Sequence, residues 1–190
     1  MRDLLTRINN AATAQGAQYV EARAQRLTKT SLTLKEERVE AAKQGIESGV
    51  AIRALVNGAW GFASVGSTDP AILENAAVDA CRMAKLASAS LKTPIKLAPA
   101  KTVEDHVVSK PKKNPSDITV EDKIKTALAI NKTSLAYDAR IKSCGVDYMD
   151  LMGSSFFVNS EGTSIEQDKL YVWSRITASA QADGVFTFSR

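Results

Sequence analysis

The sequence is short of the residues that most often carry chemistry. Among its 190 residues are one histidine, His106, and two cysteines, Cys81 and Cys144. His106 lies in a stretch rich in proline and lysine, where a lone histidine reads as solvent-exposed and not as a ligand. The two cysteines fall far apart, in different expected elements. No apolar signal-peptide core follows Met1-Arg2-Asp3-Leu4-Leu5, so both thiols are expected to be reduced and structural, and the protein cytoplasmic. Cys81 has no histidine in its own element to activate it, which argues against a nucleophile. No run approaches the roughly eighteen apolar residues of a membrane-crossing helix, so no membrane partner is expected.

Charge of one sign is also scarce outside one segment. The formal net charge is +4, and residues 91–115 hold all of it: Lys92, Lys96, Lys101, Lys110, Lys112 and Lys113 face only Glu104 and Asp105. No arginine or aromatic residue interleaves with these lysines, as a nucleic-acid groove would need. Nucleic-acid binding through Lys110, Lys112 and Lys113 is therefore the least favoured reading. Four of the five prolines, Pro94, Pro99, Pro111 and Pro115, share the segment, so 91–117 reads as a solvated, extended linker.

What is present is patterned. At 44% hydrophobic and 24% charged, the chain can bury a real core as one large domain or two small ones. In Ser48–Ser64, Val50, Ile52, Ala54 and Val56 alternate with Ala51, Arg53, Leu55 and Asn57, as in a strand with one apolar face. Asn57-Gly58 tolerates the positive φ of a tight turn, and Trp60 and Phe62 stand two apart on the return strand. Asp3–Ala14 has an apolar stripe at helical spacing, ended by Gly16. Tyr19–Lys35 alternates as extended chain, and Val39–Ala42 reads as a short strand. Gly45 and Gly49 are expected to bracket a loop. Residues 69–90 read as a helix capped by Asp69 with Pro70 in its first turn. Thr119–Tyr137 reads as another, with a Thr119/Asp122 capping box and Asn131 as the exception in its apolar stripe. Ile141–Leu151, Ser154–Asn159, Thr163–Gln167 and Leu170–Ala182 read as strands, and Asp183-Gly184 as a second tight turn.

At an offset of 126 residues the two turns coincide. Val50, Ile52, Ala54 and Val56 then fall on Ile176, Ala178, Ala180 and Ala182, Trp60 and Phe62 on Phe186 and Phe188, and Val20 on Val146. Only seven of the 45 aligned residues from 20 to 64 are identical, so the order of elements is the better evidence. The expected fold class is α+β: two helix-plus-antiparallel-sheet units, 1–90 and 118–190, joined by the linker 91–117. The second unit stops inside its return strand, which suggests part of something longer. Trp60, Phe62, Trp173, Phe186 and Phe188 are expected to pack in the core or between sheets. Arg53 is expected to pair with Glu40 or snorkel to solvent, with a substrate carboxylate as the lesser possibility.

Gly49, Val50, Ile52, Arg53, Gly58 and the run Trp60-Gly61-Phe62-Ala63-Ser64 resemble the N-terminal part of the TldD/PmbA family, once described as modulators of DNA gyrase and regarded as metallopeptidases. Glu40, the alanine-rich helix at 70–87 and the turn Asn159-Ser160-Glu161-Gly162 also fit. The resemblance implies a longer zinc peptidase. Its metal would be held by a His-Glu-x-x-x-His helix and a later cysteine, with the glutamate activating the metal's water. With one histidine, this chain has no such motif, so no catalytic, cofactor-binding or metal-ligating residue is assigned, and zinc is expected in the parent only. Cys144, on an expected strand, is not that ligand. The implied partners are a family-related subunit, as homo- or heterodimer, and an extended peptide. The alternatives are a non-catalytic subunit of the same family, or a protein-binding module related to gyrase regulation.

Overall fold

The structure is a computed structural model and describes residues 1–189. Its elements, in order, are α1 (Arg2–Ala14), β1 (Tyr19–Lys35), β2 (Arg38–Val56), β3 (Ala59–Val65), α2 (Pro70–Ser88), β4 (Glu104–Val107), a 3-10 turn (Pro115–Asp117), α3 (Val120–Ala136), β5 (Ile141–Asn159), β6 (Ser164–Ala182) and β7 (Val185–Ser189). The class is mixed α+β. Strand neighbours run β3-β2-β1-β5-β6-β4, with β7 paired to β6. The pairs β2–β3 and β6–β7 are antiparallel, whereas β4 lies parallel to β6. Ser160 N donates to Val20 O, and Glu36 N to Cys144 O, so β1 and β5 run in opposite directions.

The chain clusters into two compact units. Unit 1 comprises residues 1–26, 47–109 and 153–168. Its core is apolar: Leu5, Ile8 and Ala12 of α1 and Leu73, Ala77, Ala80 and Ala84 of α2 close over Val20, Ala22, Val50, Ile52, Ala54 and Val56. Local signals set its helices. Asp69 caps α2 by accepting from Ala71 N and Ile72 N. Beyond α1, Gly16 adopts φ 87°, Gly16 N donates to Thr13 O, and Ala17 N donates to Ala12 O. That pattern of bonds closes a helix end around a left-handed glycine. Gly61 sets the packing distance: a Cβ there would stand 1.8 Å from Ala80 O, so only glycine lets α2 lie this close to β3.

Unit 2 comprises residues 27–46, 110–152 and 169–190, of which all but the last are described. Its buried apolar cluster is small: Leu32, Leu34, Ala127, Cys144 and Val146. Thr119 Oγ1 caps α3 by accepting from Asp122 N. The buried residues of α3 are Lys123, Ala127 and Asn131, four apart and hence on one stripe. Asn131 explains its place in that stripe. Its Nδ2 donates to Cys144 O at 2.8 Å, and its Oδ1 accepts from Glu37 N at 2.8 Å. Glu36 and Glu37 form the β1–β2 turn at φ 50° and 60°, so Asn131 ties α3 to a strained corner.

Several expectations are corrected. β2 runs unbroken from Arg38 to Val56, so the loop expected between Gly45 and Gly49 is strand. Neither glycine uses a left-handed φ; Gly49 instead serves close approach, since a Cβ there would stand 3.1 Å from Val65 O. β5 and β6 are likewise continuous where four shorter strands were expected. Residues 91–117 contain β4, whose pairing with β6 spans Glu104↔Ser164 to Val107↔Gln167.

Candidate functional site

The side chains with the most interaction chemistry in unit 1 lie on the sheet face turned away from α2. The β2–β3 register pairs Arg53 with Phe62 and Leu55 with Trp60, and so puts these four on one face. Ala54, paired with Gly61, lies on the other face, under α2. On the outer face the Arg53 guanidinium lies 4.4 Å from the Trp60 ring centroid, and its Nε is 3.0 Å from Glu21 Oε1. Tyr19 meets Trp60 edge to face at 5.9 Å and donates from its hydroxyl to Glu21 Oε2 at 2.9 Å. Arg23 stacks over Phe157 at 5.3 Å. Alternating arginine and aromatic side chains thus cover this face, each stacked pair worth about 0.5–1 kcal/mol where exposed. Burial, with help from the bond to Glu21, raises the Tyr19 hydroxyl above its ordinary pKa, so it stays a proton donor.

Beside this face a cleft of about 440 Å³ is lined by Arg23, Gln25, Glu47–Ala51 and Ser64–Gly66. Both ends of the Ser48–Ser64 stretch border it. Its volume is in the range of small-ligand pockets, and its open shape, bordered by the strands β2 and β3, suits an extended main chain better than a compact, enclosed ligand.

Arg53 therefore pairs with Glu21, not with Glu40 as one expectation had it. The reason is register: Glu21 shares its sheet face, within reach of its guanidinium. The aromatic residues expected in the core are also relocated. Phe62 is 50% exposed, Trp173 45%, Phe186 63% and Phe188 59%. Phe186 and Phe188 pair with Gln181 and Ser179 across β6–β7, on a face no helix covers among the described residues.

Among the described residues, no cluster assembles a reactive centre. His106 is half exposed, with Nε2 3.9 Å from Glu166 Oε1 and 3.8 Å from Asp168 Oδ1, beyond hydrogen-bond range. Cys81 and Cys144 are buried and unbridged, and burial raises the Cys81 thiol, which lowers its reactivity. Among the described residues, no three His, Cys, Asp or Glu side chains converge as metal ligands, so the residues present do not fit a zinc ion. Nor, among the described residues, is any helix long and apolar enough to cross a membrane.

One buried polar group went unread in the sequence. Lys123 Nζ lies 2.6 Å from Asp150 Oδ2, with side-chain exposures of 5% and 0%. Tyr148 donates to the same oxygen at 2.6 Å, and both burial and that carboxylate push its hydroxyl well above the ordinary value. Asp150 Oδ1 has no partner. The available signal was a lysine four residues before Ala127 and eight before Asn131, on a stripe that ought to be apolar.

The described residues thus form two helix-and-sheet units, the first carrying an arginine–aromatic outer face. Residues 20–84 match the family described as PmbA/TldA metallopeptidase domain 1, and residues 113–190 match its central domain. The chain belongs to the TldD/PmbA family. A metalloprotease of Methanocaldococcus jannaschii is 32% identical over 136 residues, covering 72% of this chain and 30% of that protein. A metalloprotease of Methanothermobacter thermautotrophicus is 30% identical over 149 residues, covering 78% and 31%. The chain thus spans under a third of the length of these curated relatives. Among solved structures, a protein of Bacteroides thetaiotaomicron described as a modulator of DNA gyrase superposes with a TM-score of 0.78 at 18% identity, covering 98% of this chain and 43% of that one. TldE from Thermococcus kodakarensis gives 0.71 at 17% identity, covering 98% and 42%. At these identities the two structures speak for the fold alone.

Proposed function

We propose that the chain is the N-terminal region of a cytoplasmic TldD/PmbA-type zinc metallopeptidase, and that the whole protein hydrolyses peptides or unfolded proteins. This region frames the chamber, contributes to a dimer contact with a family-related subunit and guides an extended peptide. It does not hydrolyse peptides itself. The observation that carries the reading is the match of its two halves to the first and central domains of metallopeptidases, in a sequence with a single histidine. The arginine–aromatic face and the cleft between Arg23 and Ser64 support a guiding role. Arg53 and Trp60 offer stacking, and strand edges offer main-chain hydrogen bonds that need no particular side chain.

The test compares the 190-residue chain with the whole parent protein on a fluorogenic peptide, with added zinc and with a chelator. The expected result is cleavage by the parent, abolished by the chelator, and none by the chain. Zinc-dependent, chelator-sensitive cleavage by the chain alone would overturn the reading. A second reading is that the chain comes from a non-catalytic subunit of the same family, which its single histidine equally allows. Under that reading the parent itself fails to cleave until mixed with its partner subunit.

A further inference from the structure

β4 is a strand held by little. It lies at the sheet edge, pairs with β6 only from Glu104↔Ser164 to Val107↔Gln167, and all four of its residues are exposed. The pairing is parallel, the less stable arrangement per residue. Just before it, Thr102 Oγ1 donates to Glu161 O and Val103 N to Thr163 Oγ1, both at exposed positions. Just after it, Ser109 N donates to Asp168 Oδ2 at 3.3 Å. Arg2 of α1 pairs with Glu104, but the two side chains are 55% and 67% exposed, so water screens their attraction. Upstream the chain is pinned at the β2–β3 turn, where Ile95 N donates to Gly58 O at 2.9 Å. β4 is thus a short strap laid along the edge of β6.

We infer that β4 is a built-in competitor for the β6 edge at 164–168, and that an extended peptide with an acidic residue two places before a basic one takes this edge by displacing it. The inference rests on the peptide-guiding reading above and names the edge, the direction and the charges of the peptide. The strap itself shows the mode. Val103 O accepts from Ser164 N at 2.8 Å. Alternation then turns the main-chain groups of Asp105 and Val107 toward β6 and those of Glu104 and His106 outward. Any main chain in the same parallel register can make the same bonds, whatever its side chains.

The side chains beside the strap set the charges. Glu104 and His106 stand two apart and so share one face of β4. Both line a cleft of about 390 Å³, together with Arg2, Phe156, Ser164 and Glu166. At the Glu104 position an occupant meets Arg2, and at the His106 position it meets Glu166 and Asp168. The strap answers the first well and the second poorly. His106 Nε2 stops 3.8 Å from Asp168 Oδ1 and 3.9 Å from Glu166 Oε1, beyond hydrogen-bond range. Lysine or arginine in its place has the reach and the permanent charge to bond both carboxylates. A Glu-x-Arg peptide therefore makes a contact that β4 does not. That contact offsets the strap's advantage of belonging to the same chain.

The test titrates the 190-residue chain into two fluorescently labelled peptides of about nine residues, long enough to cover the edge. One has Glu-x-Arg at its centre and the other Arg-x-Glu, with threonine and valine elsewhere, and binding is read by anisotropy. Asp105→Pro combined with Val107→Pro takes N–H groups out of β4 and leaves β6 unchanged. In that variant, hydrogen exchange at the Ser164 and Glu166 amides should quicken by about tenfold or more, and the Glu-x-Arg peptide should bind about tenfold or more tighter than to the wild type. It should also bind at least about fivefold tighter than the Arg-x-Glu peptide, and adding Arg2→Gln with Glu166→Gln should bring the two within about twofold. Circular dichroism establishes that each variant is folded. Equal affinity of the Glu-x-Arg peptide for wild type and strap variant would overturn the inference and leave the guiding reading standing. So would equal affinity for the two peptides, or Ser164 and Glu166 amides that stay slow in the strap variant. If neither protein binds either peptide, the guiding reading fails and the inference with it.

Discussion

α2 and α3 each lie on a sheet, and the two are held by different forces. The buried face of α2 is Leu73, Ala76, Ala77, Ala80, Cys81 and Ala84, apolar throughout. The buried face of α3 is Lys123, Ala127 and Asn131, two of them polar. Area removed from water holds the first helix, tolerantly and without direction. A buried ion pair and two directional hydrogen bonds hold the second. Each of these is costly to leave half made, because a buried polar group without its partner keeps its desolvation penalty. A shared backbone frame therefore does not imply a shared source of stability.

The strongest way to break this comparison is at Lys123. Lys123→Met leaves Asp150 buried without a counter-charge and should cost about 3–5 kcal/mol in denaturant unfolding. Adding Asp150→Leu should recover most of that, since an apolar pair can replace a buried ion pair. In unit 1 the matching disruption is steric. Gly61→Ala drives a methyl into Ala80 O and Ala84 N and should cost about 3 kcal/mol, whereas Thr187→Ala, at the equivalent exposed position, should stay within about 0.5 kcal/mol. Asn131→Ala removes both bonds that tie α3 to Glu37 and Cys144 and should cost about 2 kcal/mol by the same measurement.

The smaller effects sharpen the comparison by equalising it. Asp69→Ala and Thr119→Ala each remove one side-chain cap and should each cost about 1 kcal/mol, because capping is local and indifferent to what lies beneath the helix. The least is a pH effect confined to unit 2. The Tyr148 hydroxyl is raised above its unfolded value by burial and by Asp150. Its contribution is therefore complete below about pH 10 and is lost as pH rises through the higher folded value. A stability series from pH 9 upward should fall more steeply for the wild type than for Tyr148→Phe.

Features that rest on local chemistry were legible in the sequence. Asp69-Pro70 marked the start of α2, Asn57-Gly58 marked the hairpin turn, and alternation marked β1 from Tyr19 to Lys35. Glycine misled where it lies inside a strand instead of turning the chain: β2 was cut at Gly45 and Gly49 although it continues, with Gly49 serving close approach to Val65 and Gly45 facing open space. The aromatic residues misled for a different reason. Alternation tells which side chains share a face, but not which face a helix will cover, and Trp60, Phe62, Phe186 and Phe188 lie on the one left open. In the candidate site, Arg53 was picked out by its place among apolar neighbours. Its partners Glu21 and Tyr19 come from another strand, and only the register brings them together. Lys123 and Asp150 were illegible for the same reason, being 27 residues apart and joined only by packing.

The most direct measurement is native-state hydrogen exchange of the 190-residue chain, comparing the amides of α2 and α3 in the wild type and in Asn131→Ala. If α2 is held by apolar burial and α3 by polar latches, Asn131→Ala should speed exchange throughout α3 by about tenfold or more and leave α2 unchanged. Equal loss of protection in both helices, or none in α3, would contradict the division of forces between the two units.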